Sequence, residues 1–234
     1  MDTSAKETKM RNLIIHFTAY LYKLRYILCK NINLNGYIYA LDLKANSSNR
    51  IDIKKELSHS SIKINGNNNT IYSNGIIQHT NINIIGNNNR ITLKDNCRLS
   101  NSELIIRADN AEFILGERSN ILEGYFICQG NNNYIHIGND CLFAHNVEIW
   151  NSDTHIITDL KGEIINKSKP IKIGDHVWLG KYVKVLKGVN IGDNSVVGMN
   201  SMVTRDIPAN TINAGIPSRT VRNDINWSKE LITI

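Results

Sequence analysis

One histidine stands at a break in an otherwise regular part of the sequence. His155 follows Asp153 in the string NSDTHII, at a position where the surrounding register calls for an aliphatic residue. A histidine can act as a general base near neutral pH because its reference pKa is about 6.5. Asp153 could fix the tautomer of that ring or cap a turn, and the sequence leaves both roles open. His155 is therefore the candidate catalytic residue, with a structural corner histidine as the alternative.

A second group of candidate residues follows the histidine. Trp178 occupies a position that would face outward, so we expect a ligand or a neighbouring subunit to cover its apolar ring. Gly180 comes next, and a glycine allows a ligand to approach the backbone closely. Arg205, Arg219 and Arg222 lie further on and could meet phosphates. Lysines near Trp178 could bind an anion or form a solvated face, and they are Lys161, Lys167, Lys169, Lys172, Lys181, Lys184 and Lys187.

A six-residue repeat defines the elements that must hold these residues. Residues 173–208 read as consecutive sixes, each with an aliphatic first residue and a small or β-branched fifth residue. The first residues are Ile173, Leu179, Val185, Ile191, Val197 and Val203, and the fifth are Val177, Val183, Val189, Ser195, Ser201 and Ile207. This period fits neither a helix nor a flat hairpin. It predicts a solenoid in which three sixes close one triangular coil, with a chance alternation in a β-sandwich as the alternative.

An internal repeat precedes the clean sixes. The strings INGNNNTI, IIGNNNRI and CQGNNNYI begin at Ile64, Ile84 and Cys128, and a degenerate copy begins at Ile106. Their regular spacing predicts further coils of the same solenoid with longer corners. Glycine and asparagine suit corners because both tolerate left-handed backbone angles, and stacked asparagines can hydrogen-bond between coils. A ligand-binding role for the GNNN runs is the alternative.

The chain divides into three parts on this interpretation. Residues 1–31 hold a polar tail and an amphipathic helix over residues 12–30, which either packs on the solenoid or a neighbouring subunit or lies on a membrane surface. Residues 32–222 form the solenoid, from which residues 156–170 project as a loop. Function often concentrates in such a loop. Residues 223–234 form a tail or a short helix.

The composition limits the possible partners and the compartment. The chain has 234 residues, 41% of them hydrophobic, and a net charge of +6. This charge favours a nucleotide-like cofactor, an anionic glycan, nucleic acid or a membrane surface, or it serves solubility alone. The four cysteines show no CxxC spacing, and nothing before them resembles a secretory signal. We therefore expect reduced, buried thiols in a cytoplasmic protein.

Two stretches resemble a known family. The string IGDHVWLGKYVKVLKGVNIGDNSVVGMNSMVTRDIPANTINAGIPSRTVR is similar to the C-terminal signature of hexapeptide-repeat acyltransferases. The NSDTH string and the KPIKIGDHVWLG restart resemble the sugar O-acetyltransferases, and above all those of bacterial capsular polysaccharides, including polysialic acid. Residues 135–222 carry these motifs. The resemblance implies an all-β, left-handed parallel β-helix and a homotrimer with its active site in a cleft between the β-helices of two subunits. It also implies acetyl-CoA as the donor, with no metal.

The resemblance also implies roles for single residues. His155 matches the catalytic histidine, which takes the proton from a sugar hydroxyl, and Trp178 matches the tryptophan near the acetyl group. Backbone N–H groups near Gly180 would hold the oxyanion. The residues expected to contact coenzyme A are Gly180, Lys187, Gly198, Thr204, Arg205 and Arg219. Two departures are mild: Gly198 stands where many relatives have alanine, and AGIPSR replaces an AGxPAK-like string.

The expected acceptor is an anionic bacterial surface polysaccharide, with no nucleic-acid partner. Contact of the N-terminal helix with a membrane is the alternative to its packing on the protein. Three alternative hypotheses compete with this interpretation. A γ-class carbonic anhydrase uses the same solenoid, but the histidines here lack its paired spacing. An N-acyltransferase acting on a nucleotide-linked amino sugar would share the histidine. A non-enzymatic scaffold or nucleic-acid binder would need aromatic residues among the basic ones, and residues 156–170 contain none.

Overall fold

The fold is a parallel β-solenoid. The computed structural model describes residues 31–232, so the expected N-terminal helix and Cys29 lie outside the described residues. Residues 31–232 contain strands and no helix. Their pairing forms three ladders, each of which runs the length of the solenoid as one flat face. The predicted all-β solenoid is thereby confirmed for this part of the chain.

Each face is built from one strand per coil. The first face contains β1 (Ile32–Leu34), β3 (Arg50–Ile53), β5 (Thr70–Ser73), β8 (Arg90–Leu93), β11 (Glu112–Leu115), β14 (Tyr134–Ile137), β17 (Ile171–Ile173) and β20 (Asn190–Ile191). The second face contains β6 (Ile76–Gln78), β9 (Arg98–Ser100), β12 (Asn120–Ile121), β15 (Leu142–Phe143), β18 (Trp178–Leu179), β21 (Val196–Val197), β23 (Ile212–Ala214) and β24 (Arg219–Arg222). The third face contains β7 (Asn81–Ile85), β10 (Glu103–Arg107), β13 (Gly124–Gln129), β16 (Val147–Trp150), β19 (Lys184–Leu186) and β22 (Met202–Val203).

One long strand joins two of the faces. β4 (Glu56–Asn65) pairs with β6 through its first half and with β7 through its second half. β2 (Tyr37–Lys44) pairs with β4 along most of the length of both strands. All strand pairs are parallel except β23 with β24, which is antiparallel and ends the second face.

The predicted ladder of aliphatic residues forms the core. All six first-position residues of the sixes are at most 2% exposed, and all six fifth-position residues are at most 5% exposed. Equivalent residues stack directly, as Phe143, Leu179 and Val197 do on the second face. Burial of this column supplies the main favourable free energy of the solenoid, because parallel ladders have no local hairpin contacts to hold them.

The GNNN runs lie at corners, as predicted. The Asn69 side-chain amide donates to Asn49 Oδ1 at 3.0 Å, and the Asn89 amide donates to Asn69 Oδ1 at 2.9 Å. A Cβ added to Gly66 would lie 1.9 Å from the carbonyl oxygen of Gly86, so only glycine fits there. The asparagine ladder therefore satisfies buried polar groups from one coil to the next.

The projecting loop adds about as many residues as one regular coil contains. Ile137 pairs with Ile173, and the Asn139 amide donates to Asp175 Oδ1, so equivalent residues of these two coils are 36 positions apart in the sequence. In the next coil Ile173 pairs with Ile191 and the Asp175 amide donates to Asp193 Oδ1, so equivalent residues there are only 18 positions apart. The extra residues leave the solenoid after β16 and return before β17, at the corner between the third and first faces.

Inside the loop, two short segments run antiparallel. Thr158 and Ile164 form a bridge, and the Ile165 amide donates to the Ile157 carbonyl at 3.0 Å. Asp159 Oδ1 accepts from the amides of Lys161 and Glu163, both at 2.9 Å, and so closes the tip. The loop therefore has a defined hairpin shape.

The C-terminal residues form a tail without a helix. After β24, residues 223–232 contain no helical segment. The Ile225 amide donates to the Asn210 carbonyl at 3.0 Å, which turns the tail back along the solenoid.

Candidate active site

A polar cluster around Asp153 holds the root of the loop. The Asp153 carboxylate forms an ion pair with the Lys187 ammonium and accepts a hydrogen bond from the Asn166 amide at 3.0 Å. Lys187 also donates to the Asn166 carbonyl at 3.0 Å. The Lys187 hydrogen bond lowers the pKa of Asp153 below its ordinary value; the Asn166 bond adds to this, and partial burial opposes it. The ionised carboxylate fastens the loop to the coil that follows it.

His155 lies directly beside this cluster. Its amide donates to the Asp153 carbonyl at 2.8 Å, and its carbonyl accepts from Asn166 Nδ2 at 2.7 Å. The backbone of His155 is thus fixed on both sides, while its side chain is exposed. Because the Asp153 carboxylate bonds to Lys187 and Asn166, its contacts favour the turn-organising role over control of the imidazole tautomer.

His155 lines a cavity between the loop and a corner of the solenoid. The cavity has a volume of about 510 Å³, and residues 130–133, the third GNNN corner, form one of its walls. Asn166, Lys167 and Ser168 line the opposite side. Apart from Lys167 and His155, the polar lining is uncharged. This GNNN corner therefore contributes to a site as well as to the fold.

Two buried oxygen atoms lie in the residues that line this cavity. Gln129 Oε1 and Thr154 Oγ1 have no hydrogen-bond partner among residues 31–232. Gln129 is held in place, since its amide nitrogen donates to Asn151 Oδ1 at 2.7 Å and its Nε2 to the Thr154 carbonyl at 3.3 Å. An unpaired buried polar atom costs about 1–3 kcal/mol. Because both oxygens are inaccessible to solvent in this chain, a ligand hydroxyl would pair with them only after neighbouring side chains move.

Trp178 lies on a different face from His155. It begins β18 on the second face, between Leu142 and Val196 of the neighbouring coils, and its side chain is 39% exposed. The prediction that this ring points outward is confirmed. The loop that carries His155 leaves from the corner between the third and first faces. A single chain therefore does not bring the two candidate residues together.

The glycines expected near the donor have tight structural surroundings. A Cβ on Gly180 would lie 2.7 Å from the Met199 amide nitrogen, and one on Gly198 would lie 3.3 Å from the Ala214 Cβ. Gly180 donates its N–H to the Val197 carbonyl at 2.8 Å. Coil stacking accounts for Gly180, and its bonded amide means that an oxyanion donor must be another backbone group.

The remaining predicted donor contacts lie near the end of the solenoid. Thr204 and Arg205 follow β22, and Arg219 begins β24; all three side chains are exposed. Lys187, expected in the same group, lies instead at the loop root with a side chain only 20% exposed. The structure thus separates Lys187 from the exposed cations of the last coils.

Sequence reasoning missed three residues of the site. Asn166 joins Asp153 to the backbone of His155, and Gln129 and Thr154 supply the unpaired oxygens. Thr154 lay inside the NSDTH string and could have been noticed there. Gln129 immediately precedes a GNNN run, at the position that Arg107 occupies in the preceding coil. Its role is visible only from its hydrogen bond to the Thr154 carbonyl, just before the inserted loop.

Cys97, Cys128 and Cys141 are unpaired and buried, which confirms the prediction for these three, and burial raises the pKa of each thiol to about 12. Residues 31–232 contain no group of three or more His, Cys, Asp or Glu side chains placed to hold a metal ion. No helix in the same range is long and apolar enough to cross a membrane.

The sequence matches repeat-containing transferases. A family model described as bacterial transferase hexapeptide (six repeats) matches residues 170–205. The chain is 43% identical over 86 residues to the galactoside O-acetyltransferase of Escherichia coli K12, and 30% identical over 126 residues to the polysialic acid O-acetyltransferase of Escherichia coli O1:K1 / APEC. These matches cover 37% and 53% of this chain but only 42% and 41% of the two relatives.

Solved structures resemble the solenoid over most of its length. The polySia-specific acetyltransferase NeuO superposes with a TM-score of 0.69 at 26% identity, covering 86% of this chain and 90% of that one. The polysialic acid O-acetyltransferase OatWY gives a TM-score of 0.54 at 31% identity, covering 86% and 88%. The predicted left-handed parallel β-helix is confirmed by this likeness.

Proposed function

Because the chain belongs to the bacterial hexapeptide-repeat transferases, we propose that it is an O-acetyltransferase that moves an acetyl group from acetyl-CoA to a hydroxyl of a polysaccharide. Relatives that resemble it over more than half of its length are named as O-acetyltransferases or acetyltransferases. The observation that carries the proposal is the cavity beside His155, whose lining of amides and hydroxyls suits a sugar.

His155 acts as the general base in this proposal. Its imidazole takes the proton from the acceptor hydroxyl as that oxygen attacks the acyl carbon, and it later returns the proton to the departing thiolate. One carbon–oxygen bond forms and one carbon–sulfur bond breaks. A well-placed base contributes about 10²–10⁴-fold to the rate. The Asp153–Lys187 pair and Asn166 hold the backbone of His155 in place for this transfer.

The donor, when bound, supplies an acetyl group activated as a thioester. Trp178 offers an exposed indole face on the second ladder, and Arg205 and Arg219 offer exposed guanidinium groups on the last coils. An aromatic face suits the acyl end of a long ligand, and guanidinium groups suit its phosphates. We propose that these residues, with Thr204, hold the donor, and that the pantetheine arm passes Gly180 and Gly198.

We propose that the active unit is a homotrimer. His155 and Trp178 lie on different faces of one chain, so a site that uses both needs a second copy. The loop also exposes apolar side chains, with Leu160 fully exposed and Ile156 70% exposed. Exposed apolar groups on a structured loop are usually covered by a partner surface.

The acceptor in this proposal is an anionic surface polysaccharide, such as one that contains sialic acid. The net charge of +6 and Lys167 in the cavity favour an acidic glycan. Three of the relatives named above act on polysialic acid according to their names. We also propose a cytoplasmic location, before polymer export, because the unpaired buried thiols suit a reducing compartment.

Release of coenzyme A from acetyl-CoA, followed with a thiol reagent, tests the proposal. The assay compares polysialic acid, other acidic capsular polysaccharides, neutral ones and nucleotide-linked amino sugars as acceptors. The wild type is expected to release coenzyme A with an acidic polysaccharide, and His155→Ala is expected to lose that stimulation. His145→Ala is the matched control, because His145 is an exposed histidine that does not line the cavity. Stimulation only by nucleotide-linked amino sugars would contradict the proposal and support N-acylation.

A further inference from the structure

The C-terminal tail lies along one corner of the solenoid. This corner carries a column of residues with positive φ, including Arg118, His176 and Asn210. Ile225 bonds to the Asn210 carbonyl at 3.0 Å, and further along the tail Lys229 Nζ donates to the Arg118 carbonyl at 3.1 Å. The tail therefore runs back across several coils and is anchored at both ends.

Between these anchors, Trp227 is fixed on His176. The two rings are stacked, with centroids 4.2 Å apart and planes inclined by 8°. Trp227 Nε1 also donates to the His176 carbonyl at 2.7 Å. His176 is itself held, because its Nδ1 lies 3.0 Å from Asn194 Oδ1. A stack and a hydrogen bond on one residue define the orientation of the indole.

Trp227 also meets Trp178. The two indole centroids are 5.8 Å apart with an inclination of 40°, within the range of favourable aromatic pairs. We propose that Trp227 is a positioning residue, which restricts the Trp178 ring and so shapes the donor site. The inference rests on the proposed function of Trp178, since Trp227 acts through that ring. The C-terminal tail thereby becomes part of the active site.

The physical argument is one of preorganisation. Trp178 stands on a flat strand between the aliphatic side chains of Leu142 and Val196, which are smaller than an indole, and 39% of it is exposed. A flanking indole on one side limits the rotamers that Trp178 can adopt. Ordering a side chain before the ligand arrives reduces the entropy lost on binding. The expected effect falls on the affinity for acetyl-CoA rather than on the chemical step.

Fluorine NMR of the full chain labelled with fluorotryptophan tests the contact directly. The resonances of Trp150, Trp178 and Trp227 are assigned from single Trp→Phe variants. Trp227→Ala is expected to shift or broaden the Trp178 resonance, and Trp227→Phe, which keeps a stacking ring, is expected to preserve most of the wild-type signal. An unchanged Trp178 resonance in Trp227→Ala would overturn the proposal. This result does not depend on any acetyltransferase activity, so it separates the inference from the proposed function.

Kinetics then separates positioning from a merely structural role. Trp227→Ala is expected to raise the KM for acetyl-CoA about tenfold, with kcat within about twofold, because an aromatic pair contributes about that much to binding. Trp227→Phe is expected to recover most of the KM. Lys229→Met is the matched control: it removes another anchor of the same tail and is expected to leave the KM nearly unchanged. Equal KM values for Trp227→Ala and wild type would contradict the inference.

Discussion

The ammonium of Lys187 binds the carboxylate of Asp153 at the root of the loop that carries His155. The pair joins positions that are 34 residues apart, on either side of the inserted segment. Asn166 contacts both members and also bonds to the His155 carbonyl at 2.7 Å. The position of the candidate base is therefore set by a small polar cluster rather than by the aliphatic core.

Removal of Lys187 should release this loop root. Lys187→Met is expected to reduce kcat by between tenfold and about 100-fold, since a small misplacement of a catalytic group has effects of this size. The free energy of unfolding should fall by at most about 1 kcal/mol, because the pair is partly exposed. Steady-state kinetics and urea denaturation measure the two effects. Lys184→Met, which removes a similar pair with Glu148 on the adjacent strand, serves as the control.

Asp153 should make the stability depend on pH in the acid range. Its pKa is lowered in the folded protein, chiefly by Lys187. Its contribution to stability is therefore present above the ordinary aspartate pKa of about 3.9, and it is lost as the pH falls through the lower folded value. Urea denaturation at several pH values should show that the free energy of unfolding falls less steeply toward acid pH for Asp153→Asn than for the wild type. The same pH dependence of the free energy of unfolding in both proteins would contradict the contribution assigned to Asp153.

The unpaired oxygens of the cavity should matter for the acceptor and not for folding. Thr154→Val removes a buried polar atom that has no partner among residues 31–232, whereas Gln129→Leu removes such an atom together with the Nε2 donor of the Thr154 carbonyl. Thr154→Val is expected to leave the melting temperature unchanged or higher, because an uncompensated desolvation cost disappears. In Gln129→Leu the loss of the hydrogen bond to the Thr154 carbonyl offsets that gain, so its melting temperature is expected to change little. Each should also raise the KM for the polysaccharide by about tenfold, since one hydrogen bond to ligand is lost. A lower melting temperature with an unchanged KM would show that these residues are structural.

Mixed oligomers should reveal whether the site is shared. His155→Ala and Trp178→Ala are each expected to be nearly inactive alone. In randomly mixed trimers with heterologous contacts, about one quarter of the inter-subunit sites combine an intact His155 from one chain with an intact Trp178 from the next. Co-expression of the two variants should therefore restore about a quarter of the wild-type activity. No recovery in trimers shown to be mixed would place both residues within one chain.

The repeats made the solenoid predictable, because each coil repeats the same local rule. Ile173 and Val197 were assigned to the core from their position in a six, and both are buried. The start of the insertion was visible for the same reason, since His155 breaks the period. Gly180 shows the limit of such reasoning, because its lack of a side chain suggested ligand access, whereas the next coil already fills that space.

The contacts of the inserted loop could not be predicted in the same way. Lys187 was grouped with the cations that might bind phosphates, and its pairing with Asp153 depends on the path of a segment that has no period. Trp227 was overlooked because the tail that carries it meets His176 only after turning back across the coils. Periodicity determines which residues face the core, and non-periodic segments determine where the chemistry is assembled.

Transfer of labelled acetyl groups from acetyl-CoA to polysialic acid tests the central claim most directly. NMR of the recovered polymer distinguishes an O-acetyl ester from any other product. The account predicts ester formation by the wild type and by His145→Ala, and a rate lower by about 10²–10⁴-fold for folded His155→Ala. Ester formation at the wild-type rate by His155→Ala would contradict the assignment of His155 as the base.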